Sequence, residues 1–187
     1  MSEPLPESWT ASTVYPDMWL DPDDDPRESS ARLTDERSTL LEYLRRYRLT
    51  FELKCAGLDA GQLARRSVPP STLSLLGLLR HLADVEQYWF RRVTAGEPLA
   101  DLYPGGSEWD VDGADGAAAE KAWAQWRAAV SAAQEIAAAT DLAHAGVTAD
   151  GDSLQFREVL VHLIEEYARH CGHADLLRER IDGRTGQ

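Results

Sequence analysis

The sequence predicts an all-α protein, a four-helix bundle with a long crossover loop between its second and third helices. Four stretches place apolar residues at steps of three and four, the spacing that one buried helix face requires. No stretch alternates apolar and polar residues between turn signals, as a half-buried strand does. The segment 97–116 is rich in Gly, Pro and Asp and is too long for a tight helix-to-helix turn.

The first predicted helix covers residues 33–56 and the second covers residues 72–95. Thr34 or Asp35 can cap the first helix, because their side-chain oxygens accept hydrogen bonds from free backbone N–H groups. Ser71 can cap the second helix in the same way. The chain breakers that separate and end these helices are Gly57, Pro69, Pro70, Gly96 and Pro98.

The third predicted helix covers residues 117–140, an alanine-rich stretch with an apolar stripe that includes two tryptophans. A polar turn over residues 141–153 follows it. The fourth helix then runs from a cap at Ser153 to a stop at Gly183. At 1.5 Å per residue these helices form rods of roughly 35–45 Å, a length that suits a four-helix bundle.

Composition and charge exclude or disfavour several classes of protein. The chain has 187 residues, a mass of 20.8 kDa and a formal net charge of −13. The electrostatic field of such a negatively charged protein repels nucleic-acid phosphates and anionic lipid headgroups. We therefore expect no nucleic-acid and no membrane partner. No apolar run reaches the roughly 18 residues that span a bilayer. Only two cysteines, Cys55 and Cys171, and no apolar leader are present, which predicts a reducing, cytoplasmic location.

The first 30 residues differ in composition from the rest. We predict an acidic, proline-rich arm over residues 1–30 and a four-helix metal-binding domain over residues 31–187. The arm holds eight acidic residues against one arginine, and five of the nine prolines, which exclude a long helix. Its large apolar residues favour an extended segment packed on the domain over a leader without fixed structure. These residues are Trp9, Tyr15, Met18, Trp19 and Leu20.

Titratable residues fall on helix faces that the apolar pattern assigns to the interior. His81 shares the leucine-rich face of the second predicted helix. In the fourth, His162, Glu166 and His170 are spaced four residues apart and share one face. Burying an unpaired glutamate is costly, so the carboxylate takes up a proton or finds a cation. A divalent metal held between the second and fourth helices would satisfy His81, Glu166 and His170 together.

Simpler interpretations of these residues stay open. Glu166 and His170 form an ordinary pair one helical turn apart, and His81 can bond to a backbone carbonyl. His162 is either a fourth ligand or an outer group that orients the Glu166 carboxylate. The outer role is favoured, because one helix rarely supplies three ligands. The residues assigned to the surface or to local structure are His144, His173 and Asp175.

Two segments of the chain resemble one known superfamily. They are LLGLLRHLADVE at residues 75–86, with Trp89 and Phe90 after it, and HLIEEYARHCGHAD at residues 162–175. Both resemble the DinB/YfiT-like superfamily, and within it the actinobacterial branch that includes mycothiol-dependent maleylpyruvate isomerase. The resemblance covers residues 35–183 and leaves the acidic arm outside.

The resemblance implies a four-helix bundle with a long crossover and a metal site at the same three positions. His81 corresponds to the histidine of the second helix, and Glu166 and His170 correspond to the pair of the last helix. Many relatives have histidine where this chain has Glu166. The isomerase branch has glutamate there, so this departure points to that branch.

Two imidazoles and one carboxylate leave Zn²⁺ an open coordination position, as catalytic sites do. That position can hold a water for hydrolysis or a thiol. The resemblance implies a low-molecular-weight thiol such as mycothiol as cosubstrate. Our leading hypothesis is a metal-dependent, thiol-using transferase or isomerase that acts on a small electrophile. Zinc is the expected metal, with nickel, iron and manganese as alternatives.

Two other functions remain candidates at this stage. One is hydrolysis by a metal-bound hydroxide, and the other is a non-catalytic bundle that binds a small molecule or forms a homodimer through apolar faces. If the protein is an enzyme, we expect Tyr103 and Trp109 of the crossover loop to line the substrate pocket beside the metal. Arg80 or Arg169 would meet carboxylates of a substrate.

Overall fold

The computed structural model describes residues 19–21, 23–28 and 33–186. Most of these residues are helical, which confirms the predicted all-α class. The helices are α1 (Glu36–Cys55), α2 (Ala60–Ala64), α3 (Leu75–Glu86), α4 (Gly116–Ala139) and α5 (Phe156–Asp182), with a π-helix at Gln87–Thr94 and a 3₁₀ segment at Pro104–Trp109. α1 packs along α5, α3 packs along α4, and α3 also contacts α5. No helix in the described ranges combines the length and the apolar character needed to cross a membrane.

Side chains just ahead of the helices fix where they begin. Asp35, one of the two predicted candidates, caps α1. Ser74 caps α3 in place of Ser71, because the Ser74 hydroxyl accepts the N–H of the third helical residue at 3.1 Å. Ser153 does not cap α5, since it is paired in a strand, and the helix begins after Gln155 instead.

The second predicted helix is a single rod whose last part changes type. α3 ends at Glu86, and the next eight residues continue as a π-helix in which the N–H of Ala95 bonds to the carbonyl of Phe90 at 3.0 Å. Hydrophobic spacing alone does not distinguish this wider turn from an α-helix. The π-helix carries Trp89, whose ring packs on His162 of α5.

A short hairpin replaces the polar turn predicted over residues 141–153. β1 (Ala145–Val147) pairs antiparallel with β2 (Ser153–Gln155). The expectation of no strand was wrong here, because three residues are too few to show an alternating pattern. Gly146 lets the hairpin lie against the π-helix, since a Cβ at this position would come within 2.5 Å of the Val93 carbonyl oxygen.

A buried polar network connects the four long helices. Arg48 of α1 donates two hydrogen bonds of 2.7 Å to the carboxylate of Glu86, the last residue of α3. The Tyr167 hydroxyl of α5 donates to Glu86 at 2.8 Å, and the indole N–H of Trp126 of α4 donates to Tyr167 at 2.9 Å. Glu86 and Tyr167 are fully buried. Hydrophobic spacing in the sequence does not indicate this network.

The described part of the N-terminal arm packs on the C-terminal ends of α1 and α5. Trp19 and Leu20 are buried. The Trp19 ring lies 3.9 Å from both the Lys54 ammonium and the Arg184 guanidinium, which are cation–π contacts. This agrees with an arm that packs through its aromatics, while the boundary at residue 30 stays a prediction. The other apolar arm residues, Trp9, Tyr15 and Met18, lie outside the described residues.

Candidate metal centre

The structure brings together the three side chains that the sequence singled out. His81 comes from α3, and Glu166 and His170 come from neighbouring turns of α5. One ligand atom from each lies within 4.8 Å of the others. Glu166 Oε2 is 3.5 Å from His81 Nε2 and 3.3 Å from His170 Nε2, so one carboxylate oxygen faces both imidazoles.

Two of the three separations in the cluster fit ligands of one metal ion better than direct hydrogen bonds. Hydrogen bonds from N–H to oxygen cluster at about 2.9–3.0 Å. Ligand atoms held about 2.0–2.2 Å from a tetrahedral Zn²⁺ are instead about 3.3–3.5 Å apart. The two distances from Glu166 Oε2 fall in that range. The widest separation in the cluster reaches 4.8 Å, so the two imidazoles have to move closer together to bind one ion. The donor set of two imidazole nitrogens and one carboxylate oxygen is also one that Zn²⁺ accepts.

The environment of His170 favours the neutral, metal-binding form of its ring. Burial lowers the pKa of His170 to about 4, and the nearby His81 adds to the lowering while Glu166 opposes it. Because a ligand imidazole must be deprotonated at the nitrogen that binds, a low pKa prepares this residue for a metal at neutral pH.

The second oxygen of the Glu166 carboxylate has different neighbours. Glu166 Oε1 lies 3.9 Å from His162 Nε2 and 4.0 Å from an Arg169 guanidinium nitrogen. The His162 ring packs on Trp89, with 4.5 Å between ring centroids. At 3.9 Å the His162 nitrogen is beyond hydrogen-bonding distance of the carboxylate, so the outer role of His162 stays a prediction.

His173 lies against the cluster, although the sequence analysis assigned it to the surface or to local structure. Its Nδ1 atom is 3.3 Å from Nδ1 of His170, one helical turn earlier. Residues three apart on a helix lie on the same face, so the spacing of His170 and His173 in the sequence is compatible with this contact. Of the other two residues set aside, His144 contacts the Thr94 carbonyl at 3.1 Å, and Asp175 pairs with Lys54 at 2.7 Å.

Trp109 of the crossover segment covers one side of the cluster. Its ring stacks on His81 with 5.5 Å between centroids. Gly77 makes room for it, because a Cβ there would come within 2.8 Å of the indole. Arg66 holds the segment by donating to the Trp109 carbonyl at 3.2 Å. The expected role of Trp109 in walling the site therefore agrees with its position.

Two other residues with expected site roles hold the crossover segment instead. Arg80 is buried, and its guanidinium donates to the Asp110 carbonyl at 2.9 Å and lies over the Tyr103 ring. The Tyr103 hydroxyl donates to Gln125 of α4. The Asp84 carboxylate accepts the backbone N–H groups at residues 102 and 103. Arg169, by contrast, has 65% of its side chain exposed beside Glu166.

The cluster is open on one side. The His81 side chain is 26% exposed and that of Glu166 is 16% exposed. A small molecule can therefore reach these atoms, although the ring of Trp109 restricts the approach. A cavity of about 310 Å³ lies elsewhere, between α1 and α4, and no member of the cluster lines it.

The two cysteines pack in the interior. Cys55 and Cys171 are both buried and form no disulfide. Burial raises the pKa of Cys171 to about 12, and it also raises that of Cys55. Both side chains stay protonated at neutral pH. Neither cysteine therefore supplies a thiolate at neutral pH.

Comparison with known families finds one whose model matches most of the chain. The model of the mycothiol-S-transferase family, MST, matches residues 39–183. The chain belongs to the mycothiol-S-transferase family. The match includes every member of the cluster and begins after the acidic arm. It agrees with the resemblance to the mycothiol-related branch of the DinB/YfiT-like superfamily, and it suggests a mycothiol-related transferase activity. A comparison with curated proteins gives no match.

Proposed function

We propose that this member of the mycothiol-S-transferase family is a metal-dependent S-transferase. It joins the sulfur of a low-molecular-weight thiol of the mycothiol type to a small electrophile. The metal ligands are His81, Glu166 and His170, and His162 orients the carboxylate from outside. The scaffold is a four-helix bundle of the DinB/YfiT type, formed by α1, the rod of α3 and the π-helix, α4 and α5.

One observation carries the proposal. Two imidazole nitrogens from two helices face the same carboxylate oxygen at 3.3 and 3.5 Å, inside a family named for mycothiol transfer. Three protein ligands leave one position of a tetrahedral ion open, which is typical of catalytic zinc sites. If Glu166 and His170 only paired with each other, nothing would require His81 of α3 to face the same carboxylate oxygen.

In this proposal the metal activates the thiol, and the side chains of the protein position it. A bound divalent ion supplies Lewis acidity, which lowers the pKa of a thiol at the open position. His81, Glu166 and His170 fix that position, and Trp109 covers one side of it and limits access of water. In the reaction a bond forms between the thiol sulfur and an electrophilic carbon while the bond from that carbon to its leaving group breaks. The leaving group departs with the electron pair of that bond, and the thiol proton passes to water.

We also predict the identity of the ion, the partners, the association state and the location. Zinc is the expected ion, because the donor set suits it. The partners are small molecules, namely the thiol and the electrophile. Association into a homodimer and a cytoplasmic location are expectations from the sequence alone.

The direct test is turnover of an electrophilic probe, such as a halogenated bimane, with and without mycothiol. We expect wild-type protein loaded with Zn²⁺ to accelerate loss of the probe only when the thiol is present. His81→Ala is expected to lose at least about 100-fold of this rate, because one of the three ligands is gone. The control is His144→Ala, which removes a histidine outside the cluster and should retain the rate.

Other outcomes would reject the proposal in different ways. Turnover without any thiol would favour the metal-hydroxide hydrolase. Equal rates for wild type and His81→Ala would remove the cluster from the reaction. Lack of turnover together with lack of metal binding would favour the non-catalytic bundle.

A further inference from the structure

The His170 imidazole has a partner at each of its two nitrogens. Nε2 faces Glu166 Oε2 at 3.3 Å, and Nδ1 faces the Nδ1 atom of His173 at 3.3 Å. The two imidazole rings are tilted by 58° with 5.3 Å between their centroids. This arrangement is independent of the contact between His81 and Glu166, and the proposed function does not use it.

The contact between the two Nδ1 atoms restricts where the protons can be. A neutral imidazole carries one proton, on either nitrogen. Two Nδ1 atoms at 3.3 Å form a hydrogen bond only if one of them is protonated and the other is not. The proton positions of His170 and His173 are therefore linked, and His173 is able to select the tautomer of its neighbour.

We propose that His173 is a positioning residue for the metal centre. Its Nδ1 atom accepts a hydrogen bond from Nδ1–H of His170, which leaves the lone pair of His170 Nε2 free for the metal. The inference rests on the proposed function, because it concerns how a ligand is prepared for the ion. Metal-binding histidines nearly always donate their other N–H to a partner, and His173 occupies that place here.

Glu166 makes this selection necessary. Glu166 Oε2 lies 3.3 Å from His170 Nε2, so the carboxylate favours the tautomer of His170 that is protonated at Nε2. A metal at Nε2 would require the other tautomer, in which His170 donates from Nδ1 to Nδ1 of His173 and His173 carries its own proton on Nε2. Each ring keeps one proton, so the exchange is neutral in charge. A residue at position 173 that cannot accept a hydrogen bond would leave the binding tautomer without support.

The first test compares Zn²⁺ affinity, measured by competition with a chromophoric chelator on untagged protein. His173→Phe keeps a ring but removes the acceptor, and we expect it to bind Zn²⁺ about 10–100-fold more weakly than wild type. His173→Asn restores an acceptor oxygen near the same position and should recover much of the loss. His144→Phe, the same substitution outside the cluster, should bind as wild type does.

The second test reads the tautomers directly in wild-type protein. Nitrogen-15 NMR of the Zn²⁺-loaded protein should show His170 protonated at Nδ1 and His173 protonated at Nε2. This readout decides the question even if His173→Phe fails to fold. A proton on Nε2 of His170, or metal bound through its Nδ1, would overturn the inference.

The outcomes separate this inference from the proposed function. Tight Zn²⁺ binding by wild type with equal affinity in His173→Phe would overturn the positioning role alone and leave the metal-dependent transferase standing. Lack of Zn²⁺ binding by wild type would overturn both.

Discussion

Replacing Glu166 with glutamine is expected to weaken Zn²⁺ binding by more than about 100-fold. Loss of an outer-shell partner of a metal ligand alone costs about 10–100-fold in affinity, and Glu166 is the only charged member of the cluster that faces both imidazoles. A neutral amide has the same shape but no charge to balance that of the ion. The affinity is measured by chelator competition on untagged protein at neutral pH.

The neighbouring residue provides a matched control for this variant. Glu165 is exposed and precedes Glu166 on α5, so Glu165→Gln makes the same change of charge one residue away. We expect it to bind Zn²⁺ as wild type does. Equal losses in the two variants would mean that overall charge, and not ligation, governs binding. Full affinity in Glu166→Gln would remove this residue from the site.

Replacing Glu86 with glutamine is expected to lower the free energy of unfolding by about 3–5 kcal/mol. The change leaves the Arg48 guanidinium buried without its counter-ion, and an uncompensated buried charge carries a cost of this size. The Tyr167 hydroxyl also loses a charged acceptor. Urea unfolding of the metal-free protein, followed by circular dichroism, measures the change.

Two further variants show whether burial is the cause. Glu36 and Arg157 form an exposed pair at 3.1 Å, so Glu36→Gln should change stability by no more than about 1 kcal/mol. The double variant Arg48→Met with Glu86→Leu removes both buried charges and should recover much of the loss. A loss in Glu86→Gln as small as that in Glu36→Gln would contradict the account of the network.

The sequence predicts the long helices and the three cluster residues well, and for one reason. A helix with one buried face repeats its apolar residues every three or four positions, and a polar residue inside that pattern stands out. His81, Glu166 and His170 are polar residues of this kind, and the spacing in the sequence is enough to single them out. The metal-binding experiments test their role as ligands.

Contacts between distant residues were not predictable from the same pattern. Arg48 and Glu86 are 38 residues apart, and each is of a type that usually faces solvent on a helix. Their pairing depends on how α1 and α3 are placed relative to each other, which hydrophobic spacing does not specify. The contact of His173 with His170 depends in turn on side-chain rotamers, and the sequence gives only their spacing.

The π-helix and the hairpin were missed for a different reason. Both are local departures from regular structure that tertiary packing stabilises. The hairpin fits because Gly146 allows close approach to the carbonyl of Val93. Such a fit involves two segments that are far apart in the chain, so neither segment shows it alone.

The metal content of the untagged protein, purified without chelators and measured by elemental analysis, tests the central claim most directly. The account predicts about one divalent ion per chain in the wild type, and almost none in His81→Ala purified in parallel. Wild-type protein that carries no stoichiometric ion, and takes up none when Zn²⁺ is supplied, would contradict it.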